Sequence, residues 1–160
     1  MSEELSIFDI KILDQLQKDC SLSTVELADV VGLSQSPCWR RLQRLKEDGY
    51  IKRQVAILDR TKFGFDLNIF AFVKMRRLSE KERATFINKI EMTPEIQECY
   101  SIFGENDLLM KIQAKSMNWY QHFVLEVLMN LPGIEHVNST ATLGEIKSTT
   151  AIPVRGDLAL

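Results

Sequence analysis

Arginine and glutamine at helical spacing are side chains that can read DNA, because a guanidinium pairs with a guanine edge and a carboxamide with an adenine edge in the major groove. The segment SQSPCWRRLQRLK carries such a set in Ser34, Gln35, Ser36, Arg40, Arg41, Gln43 and Arg44. The overall charge argues the other way: 20 Lys plus Arg against 22 Asp plus Glu give −2 over 160 residues, whereas a phosphate partner calls for a basic surface. That average hides an uneven distribution. Residues 1–33 hold two bases and seven acids, net −5, while residues 34–60 hold seven bases and three acids, net +4. The remaining hundred hold 11 bases and 12 acids. A short basic block of this kind points to an anionic partner that docks locally. On charge alone, a solvated helix face explains the block equally well.

The elements that would have to hold those side chains supply the second signal. Ser6 with Asp9, and Ser23 with Glu26, have capping-box spacing ahead of two apolar periodic stretches. Gly32 ends the second, as glycine does where the backbone turns left-handed, and Ser34 starts a third helix with Pro37 in its first turn. Helix, glycine turn and helix at this spacing predict a helix-turn-helix, with Ala28 at the crossing and Leu27, Val31, Leu33 and Cys38 on the inner faces. Arg41 stands where an apolar residue is usual, with Leu42 beside it to fill the gap. Cys38, Leu42 and Leu45 then face inward, and Ser36, Arg40, Gln43 and Arg44 outward. Gly49 ends that helix, and Ile51–Arg53 and Val55–Leu58 read as two short strands or the flank of a wing.

After DRTKFGFD, a connection at 59–66, the pattern changes to strands and helices in the order β-α-β-β-α-β. Ile69, Ala71, Val73 and Met75 alternate as in a strand, and Ser79 with Glu82 opens a helix with Ala84, Ile87 and Ile90 expected inward. Gly104-Glu105-Asn106-Asp107 is the tight link of a hairpin, Ser116 caps a further helix, and Ile134–Leu143 is the last strand. The fold class is therefore α+β. A winged helix-turn-helix domain at 1–58 and a ferredoxin-like βαββαβ domain at 67–160 flank the hinge at 59–66. The third strand, LLMKI, lacks the aromatics with which such sheets read RNA. Apolar residues on both strand faces, among them Phe70, Phe72, Cys99, Phe103 and Leu109, predict that a second copy covers the face the helices leave open.

Other chemistry is poorly served. Cys20, Cys38 and Cys99 form no CxxC pair, and with His122 and His136 they make an unusual zinc set, so no metal or other cofactor is expected. A thiolate–imidazole enzyme built on Cys99 or Cys38 has no supporting motif. The acidic start MSEELSIFDI and the absence of an apolar run near ~18 residues predict a cytoplasmic protein with no membrane partner.

The run LSQSPCWRRLQRLKEDGYI resembles the second half of the DNA-binding domain of the Lrp/AsnC, or feast/famine, transcriptional regulators. ILDQLQKDCSLSTVELADVVG resembles that family's first two helices. IQECYSIFGENDLLMKI and LPGIEHVNSTATLGEIKSTTAIPV resemble parts of its amino-acid-binding domain, so the likeness spans essentially the whole chain. It implies double-stranded DNA as a partner, homodimers that assemble further into octamers, and a free amino acid bound between dimers. The family's Gly-x-x-Asp turn falls on Gly104, Glu105, Asn106 and Asp107, which would line the effector pocket, with Ser139, Thr140 and Thr142 as candidates for its opposing wall. Loop N–H groups would hold the ligand's carboxylate, and Asp107 or Glu105 its ammonium. An apolar effector such as leucine or methionine is the expectation. An architectural DNA-coating protein, or a regulator without amino-acid response, fits the same residues.

Overall fold

A computed structural model describes residues 5–154. By internal contacts they form two units: the residues up to Ile57 together with those from Lys147 onward, and Leu58–Ile146.

The first unit is a three-helix bundle of α1 (Ile7–Lys18), α2 (Thr24–Val31) and α3 (Gln35–Glu47). Both expected capping boxes form. The Ser6 and Ser23 hydroxyls accept the N–H groups of Asp9 and Glu26, whose carboxylates accept the serine N–H groups at 2.9 and 2.8 Å. Gly32, at φ +77°, turns the chain between α2 and α3, and the Leu33 N–H closes back on the Ala28 carbonyl at 2.9 Å. Ile12, Leu13, Leu27, Ala28, Val31, Cys38, Leu42 and Leu45 make the core. Complete burial of Ile12 and Leu45 contributes about 2 kcal/mol each.

One expectation changes in this unit. Residues 51–59 pair in no strand among the described residues, and Val55, Ile57 and Leu58 are exposed. An extended segment becomes a strand only when another backbone lies alongside to bond it. Residues 147–154 group by contact with the first unit. The Gln17 carboxamide accepts the Ile152 N–H at 2.7 Å and donates to the Ile152 carbonyl at 3.0 Å.

In the second unit the 59–66 connection is a 3-10 turn, Arg60–Phe63, capped by Asp59 and closed by Gly64. Then come β1 (Leu67–Met75), α4 (Glu80–Glu91), β2 (Ile96–Ser101), β3 (Leu108–Ala114), α5 (Met117–Glu126) and β4 (Ile134–Ala141). The sheet is antiparallel in the order β2-β3-β1-β4, the ferredoxin-like arrangement. Ile69, Ala71 and Val73 of β1 and Met110, Ile112 and Ala114 of β3 lie in one core with Phe86 of α4 and Tyr120 and Phe123 of α5. Successive strand residues alternate faces, so Phe70, Phe72 and Leu109 stand on the open side, with Tyr100 beside Leu109. At α4 the inward face differs from expectation. Phe86 is buried and Ile90 half-buried, while Ala84 and Ile87 are exposed, because the i, i+4 pair built on the large aromatic sets the rotation. Its capping box also forms, and the bond from the Arg76 guanidinium, 2.6 Å from Glu82, with smaller help from the Ser79 bonds, holds that carboxyl down at about 2.

Candidate nucleic-acid interface and effector loop

Outward on α3 stand Gln35, Ser36, Trp39, Arg40 and Lys46, all exposed, with Gln43 half-buried beside them. Lys52 and Arg53, just after the helix, are also exposed. Arg41 and Arg44 lead elsewhere. Arg41 Nη1 lies 3.1 Å from Asp9 Oδ1, and Arg44 Nη2 lies 2.8 Å from Asp9 Oδ2. The same Arg41 nitrogen donates to the Ser6 hydroxyl at 2.9 Å, and its guanidinium lies 5.8 Å from the centre of the Phe8 ring. Asp9, with 1% of its side chain exposed, is thus the centre of a buried polar hub that joins α1 to α3. An isolated carboxylate there would cost several kcal/mol; two guanidinium groups and a capping box offset it. Burial pushes the Asp9 carboxyl up, and the bonds from Ser6, Arg41 and Arg44 outweigh that and bring it below its ordinary value.

The outward placement expected for Arg44 is therefore revised: the hub takes its guanidinium, although 40% of the side chain remains exposed. The hub at Asp9 is not visible in the local sequence pattern. The signal for Asp9 was an arginine in an apolar slot, which demands a buried acid nearby. Ser34 is the N-cap of α3, in extended backbone, but its hydroxyl makes no cap bond.

At the hairpin, Gly104 has φ +148°, which L side chains rarely adopt, and Phe103 beside it is fully exposed. Glu105 is exposed and Asn106 half-buried. Asp107 is engaged: its N–H donates to the Val73 carbonyl at 2.9 Å and its carboxylate accepts the Met75 N–H at 2.8 Å. Lys74 Nζ lies 3.3 Å from it. The hydrogen bond from the Met75 N–H, with a smaller contribution from Lys74, outweighs desolvation and holds this carboxyl below its ordinary value. Asp107 thus ties the hairpin to the end of β1.

The other candidates lie at the far end of that strand. Thr140 pairs with Phe70, and Thr142 donates from both its N–H and its hydroxyl to the Asn68 carbonyl, at 2.9 and 3.0 Å. Ser139 turns to the helix side, 2.7 Å from the hydroxyl of buried Tyr120. From Phe70 to Met75 is roughly 17 Å of strand at about 3.4 Å per residue. Gly104–Asp107 and Thr140–Thr142 therefore do not converge within one chain. Near the threonines, Asn68 of β1 is 8% exposed and its Oδ1 has no hydrogen-bond partner.

Burial raises the thiol pKa of both Cys38 and Cys99, the reverse of what activates a nucleophile. Among the described residues no group of three or more His, Cys, Asp or Glu is placed to hold a metal ion. Among them, too, no helix is long and apolar enough to cross a membrane.

A helix-turn-helix with a polar and basic outer face, followed by a ferredoxin-like domain with an exposed glycine hairpin, defines a two-domain DNA-binding regulator. Two family models match: a winged helix-turn-helix DNA-binding domain over residues 5–52 and the Lrp/AsnC ligand binding domain over residues 68–152. The DNA-binding transcriptional activator DecR of Escherichia coli strain K12 is 36% identical over 150 residues, 94% of this chain and 99% of that one. A leucine-responsive regulatory protein of Rhizobium meliloti is 32% identical over 151 residues, 94% and 97% of the two chains. A Neisseria meningitidis transcriptional regulator, solved as an L-Met complex, superposes with a TM-score of 0.89 at 36% identity, covering 94% of this chain and 97% of its own. The chain belongs to the Lrp/AsnC family of DNA-binding transcriptional regulators.

Proposed function

We propose that this regulator binds DNA through the outer face of α3 and responds to a free amino acid at a site completed by more than one copy of the chain. Ser36, Arg40 and Gln43 reach base edges, while Ser34 and Gln35 at the start of α3 meet the phosphate backbone. Arg41 and Arg44 hold the reading helix on α1 through Asp9, and the exposed parts of their side chains reach phosphate. The observation that carries the sensory half is the separation of its two candidate walls along β1. The Gly104–Asp107 hairpin of one copy and Thr140 and Thr142 of another can face a single amino acid only where copies meet. Gly104, Glu105 and Asn106 supply backbone groups to the ligand, Asp107 fixes the loop, and Ser139 is held against Tyr120 at the edge of the threonine wall.

The open sheet face, with Phe70, Phe72, Leu109 and Tyr100, pairs two copies into a dimer, and dimers join into a larger assembly up to an octamer. An amino acid changes DNA binding by as much as its affinity differs between assemblies. The L-Met complex of the Neisseria meningitidis relative and the name of the leucine-responsive relative support an apolar effector, methionine or leucine. The test is to melt the full chain with each of the twenty amino acids and to measure sedimentation with and without those that stabilise it. A rise in melting temperature coupled to a change in assembly supports the reading. If no amino acid stabilises the protein or alters its assembly, it acts as an effector-independent regulator or a DNA-coating protein.

A further inference from the structure

We propose that Trp39 determines DNA specificity, its indole reading the 5-methyl groups of thymine in the major groove. The inference rests on α3 being the helix that enters the groove. Ser36, Trp39, Arg40 and Gln43 recur at helical spacing and form one outward stripe, with the tryptophan at its middle. Trp39 is 52% exposed, and it belongs neither to the core of its unit nor to the apolar residues packed against that core. Single exposed apolar side chains are ordinary. This one is the largest side chain on the surface with which the chain would read DNA.

The hub at Asp9 adds the second reason. With the Arg41 and Arg44 guanidinium groups drawn back to Asp9, the outward stripe keeps Arg40, Gln43 and Ser36 as its polar readers. The flat apolar face in their midst suits an apolar partner. On the base edges of the major groove that partner is the thymine methyl, which A·T pairs present and G·C pairs lack. Preference for thymine at the centre of each half-site follows. Because the indole carries no charge, its contribution leaves the salt dependence of binding unchanged, unlike that of a lysine or arginine on phosphate.

The experiment uses the full-length protein. Its preferred duplex is selected from a random pool, and each thymine is then replaced singly by deoxyuridine, which removes the methyl and nothing else. Affinity for these duplexes and for an unrelated duplex is measured across a salt series for wild type, Trp39→Ala and Arg40→Ala. Wild type is expected to lose roughly fivefold to tenfold at one or more central thymines. Trp39→Ala should bind the thymine and uracil duplexes equally, lose about tenfold in its preference over unrelated DNA, and keep the wild-type salt slope. Wild-type indifference to every replacement overturns the proposal, and that comparison needs no variant to fold. Retention by Trp39→Ala of the full thymine-over-uracil difference overturns it equally. If Trp39→Ala is unaffected while Arg40→Ala loses affinity, the tryptophan assignment falls and the reading of α3 stands. If neither variant changes specific binding, α3 is not the reading helix.

Discussion

The two units solve their polar problems in opposite ways. In the helical unit a carboxylate sits at the centre: Asp9 is buried and bonded by Ser6, Arg41 and Arg44, side chains drawn from both ends of the segment. In the sheet unit the core is apolar, from Ile69 to Phe123, and Asn68 Oδ1 stands without a bond at the edge of the open face. The helical unit thus completes its proposed reading surface within one chain. The sheet unit leaves an apolar face, an unbonded amide oxygen and two candidate effector walls at opposite ends of one strand, and in the proposed function a second copy covers or completes them. Specificity for DNA is in this view a property of the protomer, and response to a ligand a property of the assembly.

The comparison is broken most severely by removing its central charge. Asp9→Ala removes the acid that Arg41 and Arg44 share and opens a capping box, so the helical unit should lose about 2–4 kcal/mol by chemical denaturation. Partial exposure of both arginines keeps the loss below that of a fully buried pair. The pH dependence has a definite sign. Asp9 titrates below its ordinary 3.8 when folded, so its contribution is full above that value and fades as pH falls toward the lower folded pKa. Asp9→Asn should flatten this part of the acid limb. An unchanged acid limb would remove Asp9 from the centre of the unit.

Phe72→Glu makes the matching break in the sheet unit. Phe72 faces away from the core, so the fold should persist while a charge is placed in the proposed pairing face. Dimer affinity should fall about a hundredfold or more, seen in sedimentation at decreasing concentration, a cost of about 2–3 kcal/mol. Arg40→Ala sharpens the division within α3. It should cost about tenfold in specific DNA affinity, roughly 1.4 kcal/mol, with little change in stability. Arg44→Ala should lower stability by about 1–2 kcal/mol through the hub. If both variants changed affinity alike and neither changed stability, the roles given to the two arginines would be wrong.

How much of this was legible follows from distance along the chain. Ser6–Asp9, Ser23–Glu26 and Ser79–Glu82 are local patterns, and each formed the capping box its spacing implies. Gly32 and the alternation of Ile69, Ala71 and Val73 were equally readable, and together they reveal both domains. The second role of Asp9 was hidden because its partners lie 32 and 35 residues away. Periodicity alone misjudged the rotation of α4, since it weighed Ala84 and Ile87 without seeing where Phe86 could be buried. The candidate effector residues rest on resemblance, and resemblance carries no register. Only the pairing of β1 with β3 and β4 puts Asp107 and Thr140 at opposite ends of one strand.

The smallest effect tests the finest part of the comparison, between two serines of the same unit. Ser23 and Ser34 occupy the same position relative to their helices and share the same extended backbone, with ψ of 162° and 157°. The Ser23 hydroxyl accepts the Glu26 N–H, so Ser23→Ala should cost about 1 kcal/mol. The Ser34 hydroxyl accepts no such bond, and Pro37, three residues on, has no N–H to donate. Ser34→Ala should therefore change stability by a few tenths of a kcal/mol, within the range of ordinary surface substitutions. If Ser34 meets phosphate, the same substitution weakens binding to specific and unrelated duplexes alike. Equal stability losses at the two serines would mean that Ser34 is a structural cap, and the start of α3 would then have no role at the DNA backbone.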